Sequence, residues 1–451
     1  MSKLPFMEHP TIRKAALRLL PFLFFLYVIA YLDRVNVGFA KLDMNTLPWF
    51  SESIYGFGAG IFFFGYFLFE VPSNLILERV GARKWIARIM FTWGVISMAM
   101  ALVRDVPSFY GLRFLLGIAE AGFFPGVLLY LTYWFTQKER AQVVALFMTA
   151  NAVAFIFGGP LSGWITQSTH NWQGLHGWQW LFILEGFPAV LFGFAVLAYL
   201  PNGPHDAKWL SPEERDYIQK RLGERTDHHA REGSLLTALT RDLKYIGELG
   251  KDSRVWHCFT LFFMMVGGMY GINFWIPQIT KTMSGGSNLM AGLLTAIPYS
   301  VSACVMVLNA RHSDKTGERR LHIAIPAMVG AIAMACSGLP GLPMWGALAL
   351  MAVAASGMWA ILGPFWAIPQ LFLRGIGMAA GLALINSVGN LAGFAGPFLV
   401  GWVKDKTGGF MYPLMVLGLF SLCGSILAIL LPPGLRRRND AEPLTTSSRD
   451  Q

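Results

Sequence analysis

The sequence predicts an all-α membrane protein, with twelve transmembrane helices in two six-helix bundles around a central cavity. Three observations carry this reading. The 451 residues are 54% hydrophobic and 14% charged, with a mean hydropathy of +0.48, where a soluble protein of this size carries about 25% charge. The apolar residues fall in blocks long enough to cross a hydrocarbon core of roughly 30 Å as helix. The chain also repeats itself at about half its length. Glu78-Arg79-Val80-Gly81-Ala82-Arg83-Lys84 returns 236 positions later as Asp314-Lys315-Thr316-Gly317-Glu318-Arg319-Arg320. Gly159-Pro160 followed by Gly163-Trp164 returns as Gly396-Pro397 followed by Gly401-Trp402.

The spans fall at about 18–40, 54–77, 85–103, 107–134, 142–166, 178–200, 255–280, 289–310, 321–339, 345–373, 375–403 and 410–432. Counting Lys and Arg in alternate connections places 29 of the 36 on the side that holds both termini and five on the other. That asymmetry predicts both termini in the cytoplasm. It also accounts for the net charge of +10 without any nucleic-acid partner. The N-terminal apolar stretch is too long for a signal-peptide core and has no small-residue cleavage site. The four cysteines lie singly inside apolar runs, without ligand spacing, and read as packing residues rather than disulfides or metal ligands. No metal and no organic cofactor is expected.

These spans divide the chain into a first bundle at 1–200, a cytoplasmic linker at 201–254, a second bundle at 255–435 and a polar tail at 436–451. The linker carries ten acids and ten bases, the composition of a spacer rather than a binding tail. Within it, Ser211 and Glu214 form a capping-box pattern that starts a short helix. Equal span numbers, with the same basic loop on the same side, make the two repeats parallel, as in transporters built from two related bundles. The repeated loops (Glu78, Arg79, Gly81 and Arg83; Asp314, Lys315, Gly317 and Arg319) read as tight cytoplasmic turns. Their charges mark topology and latch neighbouring helix ends.

Four charges sit where charge is costly. Span one contains Tyr31-Leu32-Asp33-Arg34-Val35-Asn36, and span four contains Arg113 and Glu120. Asp33 lies about 22 Å in from the cytoplasmic start of its span, and Arg113 and Glu120 about 9 and 20 Å below the outer start of theirs. Each costs at least about 2.5–3.5 kcal/mol at the bilayer centre on insertion scales, so the four must pair or line a wet cavity. The structural alternative is a set of internal ion pairs. The functional one is sharper: buried arginines match a carboxylate with a forked donor set, and carboxyl groups in low dielectric take up and release protons near physiological pH. Arg34 and Arg113 are therefore the substrate-charge candidates, with Asp33 and Glu120 as the proton candidates. Glu70 and Glu185 read as structural anchors. The second half carries almost no intramembrane charge but has Tyr270, Asn273, Tyr299, Trp359, Trp366 and the pair Asn386 and Asn390. This suggests charge handling in the first half and shape recognition in the second.

The paired loops, Arg113-x-x-x-Gly117 and Gly159-Pro160-x-x-Gly163 resemble the major facilitator superfamily over essentially the whole chain. The strings Tyr31–Asn36, Glu70-Val71-Pro72-Ser73-Asn74, Gly117–Gly126 and His312-Ser313-Asp314 resemble, more narrowly, its anion:cation symporter family. That family contains permeases for tartrate, phthalate, hydroxyphenylacetate and sugar acids such as galactonate. The resemblance implies alternating access between two bundles, with protons as the coupling ion. It also implies proton sites at Asp33 and Glu120, carboxylate-linked positions at Arg34 and Arg113, and cavity-lining positions at Tyr66, Asn151, Trp366 and Asn386; Tyr31, beside the charged pair of span one, is a further substrate-binding candidate. Asn151 stands where the galactonate type has a Gln, which shortens the polar reach. The first loop departs from the broad superfamily pattern at Asn74 and Glu78.

The expected function is proton-coupled import of a small organic carboxylate by a monomer in the inner membrane. A same-fold exporter of drugs or metabolites is the rival, and the buried arginines weigh against it. No HExxH, GxSxG or paired His/Cys ligand set supports an enzyme.

Overall fold

The computed structural model describes residues 9–222, 247, 249–373 and 376–435. The interior of the expected linker and the tail 436–451 lie outside the described residues. Among the described residues, twelve helices are long and apolar enough to cross a membrane. They are α1 (Pro10–Met44), α2 (Glu52–Val80), α3 (Ala82–Leu102), α4 (Val106–Thr132), α5 (Gln142–Ser168), α6 (Gly177–Tyr199), α7 (Ser253–Ser284), α8 (Asn288–Thr316), α9 (Arg320–Ser337), α10 (Met344–Phe372), α11 (Ile376–Asn390 continuing as Ala392–Thr407) and α12 (Met411–Ile429).

The helix ends follow local chemistry. Ser51 accepts the Ile54 amide at the start of α2, Asp105 and Ser108 cap α4 reciprocally, and Ser287 accepts the Met290 amide at the start of α8. Each satisfies an amide that the helix leaves unpaired. The short linker helix Pro212–Leu222 begins on the expected box: the Ser211 amide donates to Glu214 at 2.9 Å and the Glu214 amide to Ser211 Oγ at 3.2 Å. Both repeated loops turn on glycine with positive φ, +91° at Gly81 and +70° at Gly317, where an L side chain is strained.

The helices pack as the internal repeat requires. In the first half α1 packs on α5, α2 on α4 and α3 on α6. In the second half α7 packs on α11, α8 on α10 and α9 on α12. Adding six to each number converts one set into the other. The halves meet along two seams, α5 with α8 and α2 with α11, which the same shift exchanges. Small residues allow the close approach: a Cβ on Gly159 would lie 2.8 Å from the Gly292 carbonyl oxygen.

Three spans are not single rods. α4 breaks after Glu120, where Gly122 takes φ +86° before a second segment begins at Phe123. α10 is interrupted at Ile361 and Ile368, and α11 at Leu391. The apolar pattern alone reads each as continuous, because hydropathy is blind to the left-handed turn at Gly122 and to local interruptions such as those at Ile361, Ile368 and Leu391, which stay right-handed.

Candidate functional site

The centre of the molecule is built around Arg34. Its side chain projects from α1 among three aromatic rings, with Cζ 5.1 Å from the Tyr31 centroid, 5.4 Å from Phe62 and 5.5 Å from Tyr66. Its Nη2 donates to the carboxylate of Glu120, the last residue before the α4 break. Tyr270, from α7 in the opposite half, lies within hydrogen-bonding reach of the same guanidinium. Arg34 therefore stands at the seam between the halves. Its Nε has no hydrogen-bond partner although it is buried.

Asp33, one residue earlier, turns the other way. Successive helix positions are about 100° apart, so adjacent charges on α1 face different neighbours. Asp33 accepts from Trp93 Nε1 at 2.8 Å, Ser97 Oγ at 2.7 Å and Asn36 Nδ2 at 3.2 Å. All of these belong to α1 and α3, within the first half. Asn36 also lies against Glu185 of α6, which accepts from Ser162 Oγ of α5 at 2.6 Å. Asp33 and Glu185 thus share a buried polar network inside the first half, one helix removed from the seam.

Arg113 is fully buried, and its guanidinium lies on the backbone of α2. Nε donates to the Gly58 carbonyl at 3.1 Å and Nη2 to the Ala59 carbonyl at 3.3 Å, while Nη1 has no partner. Arg113 and Glu120 share a helix, but Glu120 pairs with Arg34 rather than with Arg113.

The remaining expected residues separate into groups. Tyr31 and Tyr66 flank Arg34. Asn151 on α5 is buried with its Oδ1 unpartnered. Trp366 packs edge-on to Phe262, with centroids 4.9 Å apart, and is not brought to Arg34. Asn386 donates to Glu70 at 3.2 Å and Ser387 Oγ to its other oxygen at 2.5 Å. Glu70 therefore bridges α2 and α11 across the halves, rather than anchoring to the basic loop of its own half. In the first of the repeated loops Arg83 Nε donates to the Leu197 carbonyl at 2.6 Å, and in the second Arg319 pairs with Asp314 at 2.7 Å.

Two further features escape a reading of the sequence. The first is a small cavity, with room for little more than a water molecule, lined from both halves by Val35 and Phe39 of α1, Phe155 of α5, Asn273 of α7, and Thr295 and Tyr299 of α8 among others. Tyr299 donates to Asn273 Oδ1 at 2.8 Å, leaving Asn273 Nδ2 free to donate. The second is an ionic seal at the ends of the halves remote from the N-terminus. Glu52 accepts from Lys41 at 2.6 Å and Lys404 at 2.7 Å, and also from Gln278 at 3.2 Å. The Ser53 amide donates to Asp405 at 2.8 Å, and Tyr55 donates to the Phe274 carbonyl at 2.5 Å. These ends of the halves are thus stitched together. Lys41 and Glu52 belong to the same half, but the other partners lie more than 200 residues apart, so the signal that could have found them is the side assignment alone, which puts Lys41 and Lys404 on the outer face.

Twelve spanning helices in two matched sets, with a charged pair at their seam, define a multi-pass membrane transporter. The family model described as Major Facilitator Superfamily matches residues 23–397, and the chain belongs to that family. It is 44% identical over 426 residues to a protein of Agrobacterium vitis named "Putative tartrate transporter", covering 94% of this chain and 95% of that one. It is 41% identical to the "Quinolone resistance transporter" of Acinetobacter baumannii, over 96% and 97% of the two chains. It is 34% identical to the "Inner membrane transport protein RhmT" of Escherichia coli (strain K12), over 93% and 95%. Among solved structures, a bacterial homologue of the human lysosomal transporter Spinster superposes with a TM-score of 0.72 at 17% identity, over 94% and 97% of the chains, which supports the fold.

Proposed function

We propose that the protein imports a small organic carboxylate together with protons across the inner membrane, with both termini in the cytoplasm. The observation that carries this reading is the Arg34–Glu120 pair at the seam. A substrate carboxylate that binds Arg34 displaces Glu120, and a displaced carboxylate in a dry site takes a proton to avoid standing there as an unpaired charge. Substrate and proton thereby enter together. Tyr31, Tyr66 and Tyr270 surround the anion's arginine, and the unpartnered Nε offers a second donor for forked recognition. Asn273 and Tyr299 offer hydroxyl-recognising groups in the adjoining cavity.

In this scheme Arg113 braces the turn of α2 that faces Arg34 and keeps one free donor towards the anion path. Asp33 and its network hold a second proton, one helix behind the seam. The names of the tartrate and inner-membrane relatives support an organic anion and an inner-membrane location. A rigid-body exchange between the halves then breaks the outer seal around Glu52 and re-forms it.

The test is uptake into proteoliposomes under an imposed pH gradient, against a panel of tartrate, aldonic acids, aromatic acids and a quinolone. Gradient-driven accumulation of an acid supports the proposal; gradient-driven uptake of none of the acids rejects symport. The relative named for quinolone resistance motivates a second reading, as a proton-driven exporter. Antiport of the quinolone, without acid accumulation, would establish that reading instead.

A further inference from the structure

On the outer face, three metal-ligating side chains from three different elements converge. Asp43 closes α1, His170 lies two residues past the end of α5, and His176 is the cap residue of α6. One ligand atom from each lies within 4.8 Å of the others. His170 Nδ1 is 3.4 Å from Asp43 Oδ1, and the two imidazole centroids are 6.2 Å apart.

The loop that joins the histidines is shaped to bring them together. Asn171 and Gln173 both take positive φ, +62° and +52°. Two left-handed non-glycine residues within three positions cost of order 1–3 kcal/mol each, and the turn they make returns the chain so that His176 comes back beside His170. The carboxylate is held in place from behind, because the Trp178 amide donates to Asp43 Oδ2 at 3.1 Å. This leaves Oδ1 directed at the histidines. A backbone donor on the outer oxygen is the kind of support that orients a ligating carboxylate.

We propose that Asp43, His170 and His176 form a binding site for one divalent transition-metal ion. Two imidazoles and one carboxylate suit Zn²⁺, Ni²⁺ or Cu²⁺ and disfavour Mg²⁺ and Ca²⁺, which prefer all-oxygen shells. Three protein ligands on an exposed face leave a fourth position for water. Bonds of about 2.0–2.2 Å require the donor atoms to draw together, which the exposed histidines allow by side-chain rotation. The ion would tie α1 to the α5–α6 hairpin. It would sit next to Leu42, whose carbonyl lies 3.4 Å from Lys281 Nζ of the opposite half.

The experiment uses the full-length protein in detergent with any affinity tag removed, titrated with Zn²⁺ alone and followed by calorimetry. The expected result is one Zn²⁺ per chain, with affinity reduced at least tenfold in His170→Ala and in His176→Ala, and no comparable heat from Mg²⁺. Because both histidines are exposed, both variants should keep the wild-type Tm without metal, and that scan is run alongside. Absence of saturable Zn²⁺ binding, or binding that neither substitution weakens, overturns the proposal. Neither readout depends on which substrate is carried or in which direction.

Discussion

Arg34 and Glu120 close on each other across α1 and α4 while the Arg34 Nε remains unpartnered inside the protein. A guanidinium that is only partly used, beside a single carboxylate, is the arrangement that the proposed exchange of Glu120 for a substrate carboxylate requires.

The fork matters as much as the charge. Lysine at this position keeps one positive charge but has neither the planar donor set nor the stacking against Tyr31, Phe62 and Tyr66. Arg34→Lys is expected to weaken carboxylate binding by roughly tenfold or more, measured by equilibrium binding to the purified protein. Unaltered affinity would remove Arg34 from the anion site.

Glu52 is expected to hold the outer side shut. Glu52→Gln leaves the fully buried Lys41 without its counter-charge. Breaking a buried pair costs about 3–5 kcal/mol, and the partial exposure of Glu52 reduces that figure. A cysteine at Thr295, in a background without the four native cysteines, should react with an impermeant thiol reagent from outside at least several-fold faster in the Glu52→Gln protein. Equal rates would show that the seal depends on the helix packing alone.

The break in α4 depends on Gly122. An alanine there must adopt φ +86° and would also collide with Ser73. Gly122→Ala should lower stability by about 1–3 kcal/mol, visible as a lower Tm. Ser73→Ala removes the Oγ contact but leaves the Ser73 Cβ 2.6 Å from the added methyl, and the backbone conformation is unchanged, so it should recover only part of the loss.

At the end of the molecule that holds the start of α1, Lys14 Nζ lies 2.7 Å from Glu214 and ties α1 to the linker helix. Lys14 and the Ser211 amide hold the Glu214 carboxyl below its ordinary range. The folded value is the lower one, so this contribution is present above the unfolded pKa of about 4.3 and is lost as pH falls through the folded value. The Tm difference between the wild type and Glu214→Gln should be small near neutrality and shrink towards zero in acid. A difference that grows in acid would contradict the assignment.

The fold was legible because spanning a bilayer demands long apolar helices, and duplication left the loops around Gly81 and Gly317 as matching marks. Apolar length places most of the spans within a few residues of where they stand, although α1 begins at Pro10 rather than near 18 and α8 runs on to Thr316 rather than ending near 310. The site was only partly legible. Spacing puts Arg113 and Glu120 on one face of a helix, but it cannot show that the α4 break delivers Glu120 to Arg34, or that Arg113 spends its donors on the Gly58 and Ala59 carbonyls. Asp33 and Arg34 are adjacent in sequence yet serve different neighbourhoods, since one helical step separates the core of the first half from the seam. The cross-half contacts of Glu52 and Glu70 carry no local pattern and emerge only when the halves are packed together.

In the proposed cycle substrate takes Arg34 from Glu120, and Glu120 answers by taking a proton. Proton uptake on substrate binding tests this most directly, with the carried acid added to purified protein in weakly buffered solution containing a pH-sensitive dye. The wild type should take up protons as the acid binds, and Glu120→Gln should bind the acid with that uptake reduced. Binding of the acid by the wild type with no proton uptake, or the same uptake in Glu120→Gln, would contradict it.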